Sequence, residues 1–253
     1  MPRPKKSVIL FIVEGESDKR ALERPIQSLL EDNSQGIEAT FLVAETDVTS
    51  DYRVTPDNIA DKINRFYFEP FFSSNEHYYP KDVIEVVQLC DLDGTYIPDE
   101  NCRAFDEEHS STSGFFYDPP FVYGQEAEDV IDRNRRKAEN IDALLSLETI
   151  KVKTKTKPYS VYFFSSNIDH YLYDKLNLSS REKIDLADNF ADKCDEDATW
   201  FVRRICDHSQ ALKGMSWEDT WAYIKEDANS VKRHTNFNIY LASLVGRIRQ
   251  NDE

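Results

Sequence analysis

The 253-residue chain has no apolar run that approaches the ~20 residues needed to cross a bilayer, so no membrane span is predicted. Its four cysteines form no CxxC pair, and the pattern therefore supports neither a zinc knuckle nor a dithiol redox centre. Residues 2–6 are basic, but the apolar run after them is too short for a signal peptide. A cytoplasmic protein without a membrane partner is the expectation.

Basic residues are fewer than acidic ones. The chain has 31 lysines and arginines against 47 aspartates and glutamates, a net charge of −16, which argues against a general electrostatic attraction to nucleic acid. A local basic patch could still hold nucleic acid, and two candidates stand out: the lysine stripe Lys151, Lys153, Lys155 and Lys157, and the arginine island Arg133, Arg135, Arg136 and Lys137. Because its lysines alternate, an extended stripe would put all four on one side. Protection of an edge strand is the equally open alternative for this stripe.

The content of 40% hydrophobic and 12% aromatic residues is enough for a real core. Apolar patterning predicts strands at Ser7–Val13, Ile37–Ala44, Val83–Cys90 and Tyr159–Phe164. Helices are predicted from near Ser17, from Thr55-Pro56, over Ala127–Leu147 and over Phe237–Ile248, with Pro25 bending or interrupting the first. The alternation of strand and helix predicts an α/β fold with a mostly parallel sheet flanked by helices.

The domain organisation follows from the same pattern. Residues 1–175 are expected to form the catalytic domain, interrupted at about 95–125 by an aromatic-rich insertion. Such a long loop beside an active site is typical of a lid or a substrate-binding element. Residues 176–253 read as a helical C-terminal region packed on that domain.

Acidic residues follow two predicted strands at their carboxyl ends. Glu14 and Asp18 flank the turn after the first strand, and Asp91 and Asp93 follow the third. Parallel strands gather their carboxyl ends at one edge of a sheet, so four carboxylates are expected there. So much like charge requires cations, and oxygen ligands of this kind suit Mg²⁺ or Mn²⁺. The sequence therefore predicts a metal-dependent enzyme in which these four residues are catalytic and bind metal.

Asp169 follows the strand predicted at Tyr159–Phe164 and is the candidate for a further metal ligand. The alternative is an acid in the first turn of a helix, where the helix dipole favours it. With two bound ions, an attacking water and a leaving 3′-oxygen are both stabilised during phosphodiester cleavage. The protein then has no need of a histidine base.

The run Val13-Glu14-Gly15-Glu16-Ser17-Asp18-Lys19 and the Asp91-Leu92-Asp93 pair resemble the TOPRIM (topoisomerase-primase) domain. That family carries an invariant Glu in a Glu-Gly turn after strand one and an Asp-x-Asp pair after strand three. Asp18 resembles the OLD-type (overcoming lysogenization defect) nuclease branch, where an Asp four residues after the Glu also binds metal. The resemblance covers residues 7–170 and implies a parallel sheet with a two-metal site for nucleotidyl chemistry.

Free-standing relatives of this type act in bacterial anti-phage (abortive-infection) systems, often beside an ATPase of the ABC or SMC type. OLD nucleases carry their own ATPase domain, whereas this sequence has no glycine-rich Walker A loop, so any ATPase would be a separate partner protein. The extra domains of topoisomerases and primases cannot fit in this chain. The resemblance also implies a phosphate-stabilising lysine, for which Lys153 to Lys157 are candidates. DNA or RNA as substrate and a homodimer are left open.

Cys90-Asp91-Leu92-Asp93-Gly94-Thr95 also matches the haloacid dehalogenase phosphatase signature. In that alternative Asp91 is the nucleophile and Asp93 the general acid/base, and the chemistry is Mg²⁺-dependent hydrolysis of a phosphomonoester. The rest of that family's site would come from Lys175 or Lys183 and from the acidic pair Asp188 and Asp192. Glu14 and Asp18 would then have no role, so the nuclease is the preferred prediction.

Overall fold

The computed structural model of the chain describes residues 7–33, 36–111, 114–207 and 210–250. The basic residues 2–6 lie outside the described residues. The strands are β1 (Ser7–Val13), β2 (Ile37–Val43), β3 (Val83–Asp91), β4 (Cys102–Ala104), β5 (Phe116–Asp118), β6 (Phe121–Gly124), β7 (Thr149–Val152) and β8 (Lys155–Phe164). The α-helices are α1 (Glu16–Asn33), α2 (Ile59–Ile63), α3 (Glu69–Ser74), α4 (Ala127–Leu145), α5 (Ile168–Tyr173), α6 (Ser180–Glu196), α7 (Ala198–Asp207), α8 (Trp217–Ile224) and α9 (Phe237–Gln250).

The central sheet has five strands in the order β2-β1-β3-β8-β7. The first four run parallel, and β7 pairs antiparallel with β8 at one edge. The predicted α/β class with a mostly parallel sheet is therefore confirmed. Since β3 lies in the middle, the ends of β1 and β8 flank the residues that follow it on either side.

Helices cover both faces of this sheet, which explains the unbroken apolar run of β1. Ile9 and Phe11 face a core built with α1, α5, α6, α7 and α9. Leu10 and Ile12 face the opposite core, which includes α2, α4 and α8. Among the described residues, no helix has both the length and the apolar character that a membrane crossing requires.

Two predicted helix features differ in the structure. Helix α1 continues through Pro25 without interruption, because its apolar stripe, including Leu22 and Ile26, is fully buried and holds the helix against the sheet. The helix expected to open at Thr55-Pro56 begins at Ile59 instead, since the segment before it forms a turn in which Thr55 O accepts the Asn58 N–H at 3.0 Å. A π-helix over Asn64–Phe68 then joins α2 to α3.

The segment predicted as a long loop or insertion contains its own small sheet, in the order β4-β6-β5. A separate apolar cluster that includes Ile97, Val122, Val130 and Val231 packs beneath it. This sheet is not predicted from the sequence, because strands of three or four residues are too short to give a reliable pattern.

The C-terminal region packs on both faces of the sheet. On one face α6 lies along α1, and on the other the ring of Trp221 lies 4.8 Å from that of Phe163. The chain before α9 also bonds directly to β8, where the Phe163 N–H donates to Asn236 Oδ1 at 2.9 Å. The helical region thus completes the core around the sheet.

Gly94 permits the turn that follows β3. Its φ is +74°, and a Cβ at this position would lie 2.8 Å from Val122 Cγ2 and 2.9 Å from Val231 Cγ1. We expect Gly94→Ala to lower the free energy of unfolding by more than the ~1–3 kcal/mol of backbone strain alone, because the methyl group also meets packed side chains. Urea unfolding measures the loss.

Gly214→Ala is the matched control for this substitution. Gly214 has a φ of +81° but no atom within 4 Å of its added Cβ, so its substitution should cost only the backbone strain. Equal losses for the two variants would show that packing around Gly94 adds nothing.

Candidate metal centre

Carboxylates from four neighbouring parallel strands meet in one cleft of about 470 Å³ at the carboxyl ends of those strands. Glu14 Oε1 accepts the backbone N–H of Asp91 at 3.0 Å, so the ends of β1 and β3 are tied together. The acidic residues that line the cleft are Glu14, Asp18, Asp47, Asp91, Asp93 and Asp169. The structure thus brings together all five acids singled out in the sequence and adds Asp47.

Glu14, Asp47 and Asp93 form the tightest group, called here the acidic triad. One carboxylate oxygen of each lies within 4.8 Å of the others, so the three residues could hold a metal ion. The ammonium of Lys137, a residue of α4 with no exposed surface, lies 2.7 Å from Asp93 Oδ2, 3.0 Å from Asp47 Oδ2 and 3.3 Å from Glu14 Oε1. A buried lysine is therefore part of this group.

Asp47 follows β2 and was missed in the sequence. Its Oδ1 accepts the backbone N–H and the hydroxyl of Thr49 at 2.8 and 2.7 Å, which orient the carboxylate. A signal did exist, because Glu45-Thr46-Asp47 places an acid just after a parallel strand, as Glu14 does after β1. The pairing of β2 with β1 makes the position significant.

Asp93 reaches the acidic triad through an unusual backbone. An extended segment would point Asp91 and Asp93 the same way, but β3 ends at Asp91 and Asp93 has a left-handed φ of 49°. Asp93 Oδ1 accepts the Tyr117 hydroxyl at 3.2 Å, and its backbone oxygen accepts Arg133 Nη2 at 2.8 Å. Strain of this kind is typical of functional sites and persists because the surroundings hold it.

Asp18, Asp91 and Asp169 form the other part of the cleft, called here the second acidic group. Gly15 N–H donates to Asp18 Oδ2 at 2.8 Å, and Ile168 N–H donates to Asp91 Oδ1 at 2.9 Å. Asp169 lies in the first turn of α5, as one alternative expects, and it also lines the cleft. Its role as a metal ligand stays a prediction. Lys183 from α6 reaches Asp169 Oδ2 at 2.8 Å.

Burial and like charge together disturb the ionisation of the second acidic group. Burial and the nearby Asp169 raise the pKa of Asp18 to about 6. Burial, followed by the charges of Asp18 and Glu14, raises the pKa of Asp91 well above its usual range. In the metal-free fold, the ionised form of both carboxylates is therefore disfavoured.

In the acidic triad, nearby lysine and arginine side chains oppose the effect of burial on the carboxylate pKa values. Burial and Asp47 raise the pKa of Glu14, with Lys137 opposing them. Burial alone would also raise the pKa of Asp93, but Lys137 and Arg133 outweigh it and lower that pKa. The carboxylates in turn raise the pKa of Lys137 well above its usual range despite its burial. Lys137 is therefore an ammonium at neutral pH.

The lysine stripe does not form one extended segment, which corrects the sequence-based expectation. Lys151 belongs to β7, Lys153 has a left-handed φ of 54° in the turn, and Lys155 and Lys157 begin β8. Lys157 Nζ donates to the backbone oxygen of Lys81, just before β3 begins. The stripe thus lies at the amino end of the sheet, opposite the carboxylates.

The arginine island also differs from a free basic surface. Arg133 is only 7% exposed and lies 4.3 Å above the ring of Phe115, while Arg136 Nε donates to the backbone oxygen of Ser50 at 2.8 Å. Both side chains hold loops in place around the cleft. Binding of nucleic acid by these residues and by the lysine stripe stays a prediction.

The structure does not bring together all the residues that the phosphatase alternative requires. Asp188 and Asp192 pair with Arg20 and Arg24 on the outer surface of α1 and do not line the cleft. Lys175 and Lys183 both line it, so the basic residues of that alternative are present while its final acidic pair is elsewhere.

No family model, curated protein or solved structure matches the chain. The resemblance to the TOPRIM domain consequently stays an expectation drawn from the motif residues.

Removing the Asp18 charge should stabilise the metal-free protein at neutral pH. Because the folded-state pKa of about 6 lies above the unfolded value, the contribution of Asp18 is favourable below about pH 4 and is lost as pH rises through 6. The asparagine in Asp18→Asn cannot ionise. In EDTA at pH 7.5, the free energy of unfolding of this variant should therefore be about 2–3 kcal/mol higher than that of the wild type.

Urea unfolding at pH 4.5 and 7.5 checks this expectation, and the advantage should shrink at the lower pH. Asp188→Asn, which removes an exposed acid outside the cleft, is the control and should show no such gain at pH 7.5. An Asp18→Asn protein no more stable than the wild type at pH 7.5 would contradict the electrostatic account.

Proposed function

We propose that this protein is a metal-dependent nuclease that hydrolyses phosphodiester bonds of DNA or RNA. The observation that carries the proposal is the convergence of Glu14, Asp18, Asp91 and Asp93 in one open cleft at the carboxyl ends of parallel strands. Sites of chemistry in such sheets form at these strand ends. The motif resemblance to TOPRIM nucleases supports the same reaction class.

The donor set fits a hard divalent cation such as Mg²⁺ or Mn²⁺, because every acidic ligand offers carboxylate oxygen. Asp18 and Asp91 are the residues that would hold it. When bound, the cation lowers the pKa of a water molecule and stabilises charge on the reacting phosphate. The protein orients its own carboxylates beforehand through the backbone N–H groups of Gly15 and Ile168.

Polar residues that line the cleft are suited to hold a phosphate. They are Lys175, Asn177 and Lys183, and Lys175 is exposed. A local set of donors can bind one phosphate even though the chain carries a net charge of −16. Tyr117 of the small sheet and Phe115 just before β5 line the same cleft, which suits this segment to contact a substrate.

The wider role proposed is that of an effector nuclease in a bacterial anti-phage defence system. This part rests on the motif resemblance, which also implies a separate ATPase of the ABC or SMC type as partner. The cytoplasm is the compartment in which such an enzyme meets nucleic acid.

The test is cleavage of DNA and of transfer RNA with Mn²⁺ by the wild type, Glu14→Gln and Asp91→Asn. Both variants should lose about 100-fold or more of the rate, because each lacks a charge on which the reaction depends. Both should keep the folded circular-dichroism spectrum. A small phosphomonoester is the comparison substrate, and turnover of it that survives Glu14→Gln would favour the phosphatase.

Substrate binding should depend on Lys175 more than on the lysine stripe. Lys175 lines the cleft. Lys157 lies near the start of β8, about 23 Å along the strand from Phe164 at its carboxyl end, for a rise of ~3.3 Å per residue. With EDTA present, Lys175→Gln should weaken nucleic-acid binding and reduce its salt slope by about 0.7–0.9. The variant with all four stripe lysines changed to Gln should retain both. The reverse outcome would assign binding to the hairpin of β7 and β8.

A further inference from the structure

Lys137 donates to every member of the acidic triad. Its ammonium lies within 2.7–3.3 Å of Glu14, Asp47 and Asp93, and it has three N–H donors for three carboxylates. The side chain has no exposed surface. Lys137 thus takes the place at the centre of these oxygens that a bound cation would take.

A divalent cation and this ammonium cannot both use the triad well. Metal–oxygen distances of about 2.0–2.6 Å would bring a cation bound to these oxygens within about 4 Å of the Lys137 nitrogen. Like charges at that separation repel strongly in a site that is largely shielded from water. The lysine would have to leave for the cation to bind.

The helix that carries Lys137 resists such a departure. Within α4, Arg133 Nη2 donates to the backbone oxygen of Asp93, and Asn134 Nδ2 donates to that of Gly94 at 3.1 Å. One turn further on, Asn140 Nδ2 donates to the backbone oxygen of Thr49 at 2.9 Å. Helix α4 is therefore fastened to the loops that carry both Asp93 and Asp47.

The second acidic group is different. The Lys183 ammonium pairs with Asp169, and the Lys183 side chain is 35% exposed. Asp18 and Asp91 receive backbone N–H groups on one oxygen each, and both line the open cleft. This side of the cleft can take up a divalent cation without expelling a buried ammonium.

We propose that Lys137 is a built-in cation that replaces one of the two metal ions, so that each chain binds a single divalent ion at Asp18 and Asp91. The proposal rests on the proposed function only in expecting a divalent ion in this cleft. It makes Lys137 a positioning residue that holds three loops together, and it limits the metal content of the site.

The first test counts Mn²⁺ bound to the wild-type protein, by electron paramagnetic resonance of the free ion during titration. One ion per chain is expected, and Asp18→Asn should remove it while Asp47→Asn should retain it. Two ions of similar affinity in the wild type would overturn the proposal. No binding at all would instead remove the metal dependence of the proposed function, so the two failures are distinguishable.

The second test removes the charge of Lys137 while keeping its apolar stem. Lys137→Met should bind two Mn²⁺ ions per chain, and the double variant Lys137→Met/Asp47→Asn should return to one. Lys183→Met, which removes the other lysine of the cleft, should still bind one. If folded Lys137→Met protein still binds one ion per chain, the proposal is overturned. If that variant does not fold, the number of ions bound by the wild type decides the proposal.

Discussion

The buried ion cluster around Lys137 connects the parts of this molecule that make its cleft. Its ammonium joins residues that follow β1, β2 and β3, which lie side by side in the sheet but far apart in the chain. Burying a charge is costly unless it is paired and hydrogen-bonded, and here one ammonium meets three carboxylates. Loss of either side would leave uncompensated charge in the interior. The geometry of the cleft therefore depends on this cluster.

Helix α4 delivers that charge because of what surrounds it in the chain. The small sheet of β4, β5 and β6 precedes it, and Arg133 and Asn134 of the helix donate to the backbone of the loop after β3. Its inner face is polar at several positions, including Arg133, Asn134, Lys137 and Asn140, all of them buried. A helix with so many buried polar residues gains little from the hydrophobic effect on that face. Its hydrogen bonds to the loops compensate, and they hold the backbone of Asp93 in its left-handed conformation.

The two groups of acids in the cleft differ in the positive charge that compensates them. In the acidic triad the compensating cation belongs to the protein, whereas the second acidic group has Lys183 on one member and two carboxylates of raised pKa. The charge of the triad is thus compensated by a buried side chain of the protein itself, whereas Asp18 and Asp91 have no lysine of this kind within the described residues. The same asymmetry explains why a chain with a net charge of −16 can gather six acids in one cleft.

The fold was largely predictable from the chain itself. The apolar run of β1 and the acids after it are local features, and the parallel alternation of strands and helices brings Glu14 and Asp91 to one edge by topology alone. The small sheet was not predictable, since its strands are too short for periodicity. The continuation of α1 through Pro25 was missed because burial of a helix face can outweigh the loss of one hydrogen bond.

The sequence by itself therefore determined the fold class, the strand ends and most of the acids in the cleft, because these depend on residue type and local order. Only the tertiary structure decided the partners of those acids. Asp47 and Lys137 lie 90 positions apart, and their contact exists because β2 pairs with β1 and Lys137 of α4 reaches the residues that follow both strands. The division into a lysine-filled triad and an open second group likewise depends on packing, since charges meet according to distance in space and not along the chain.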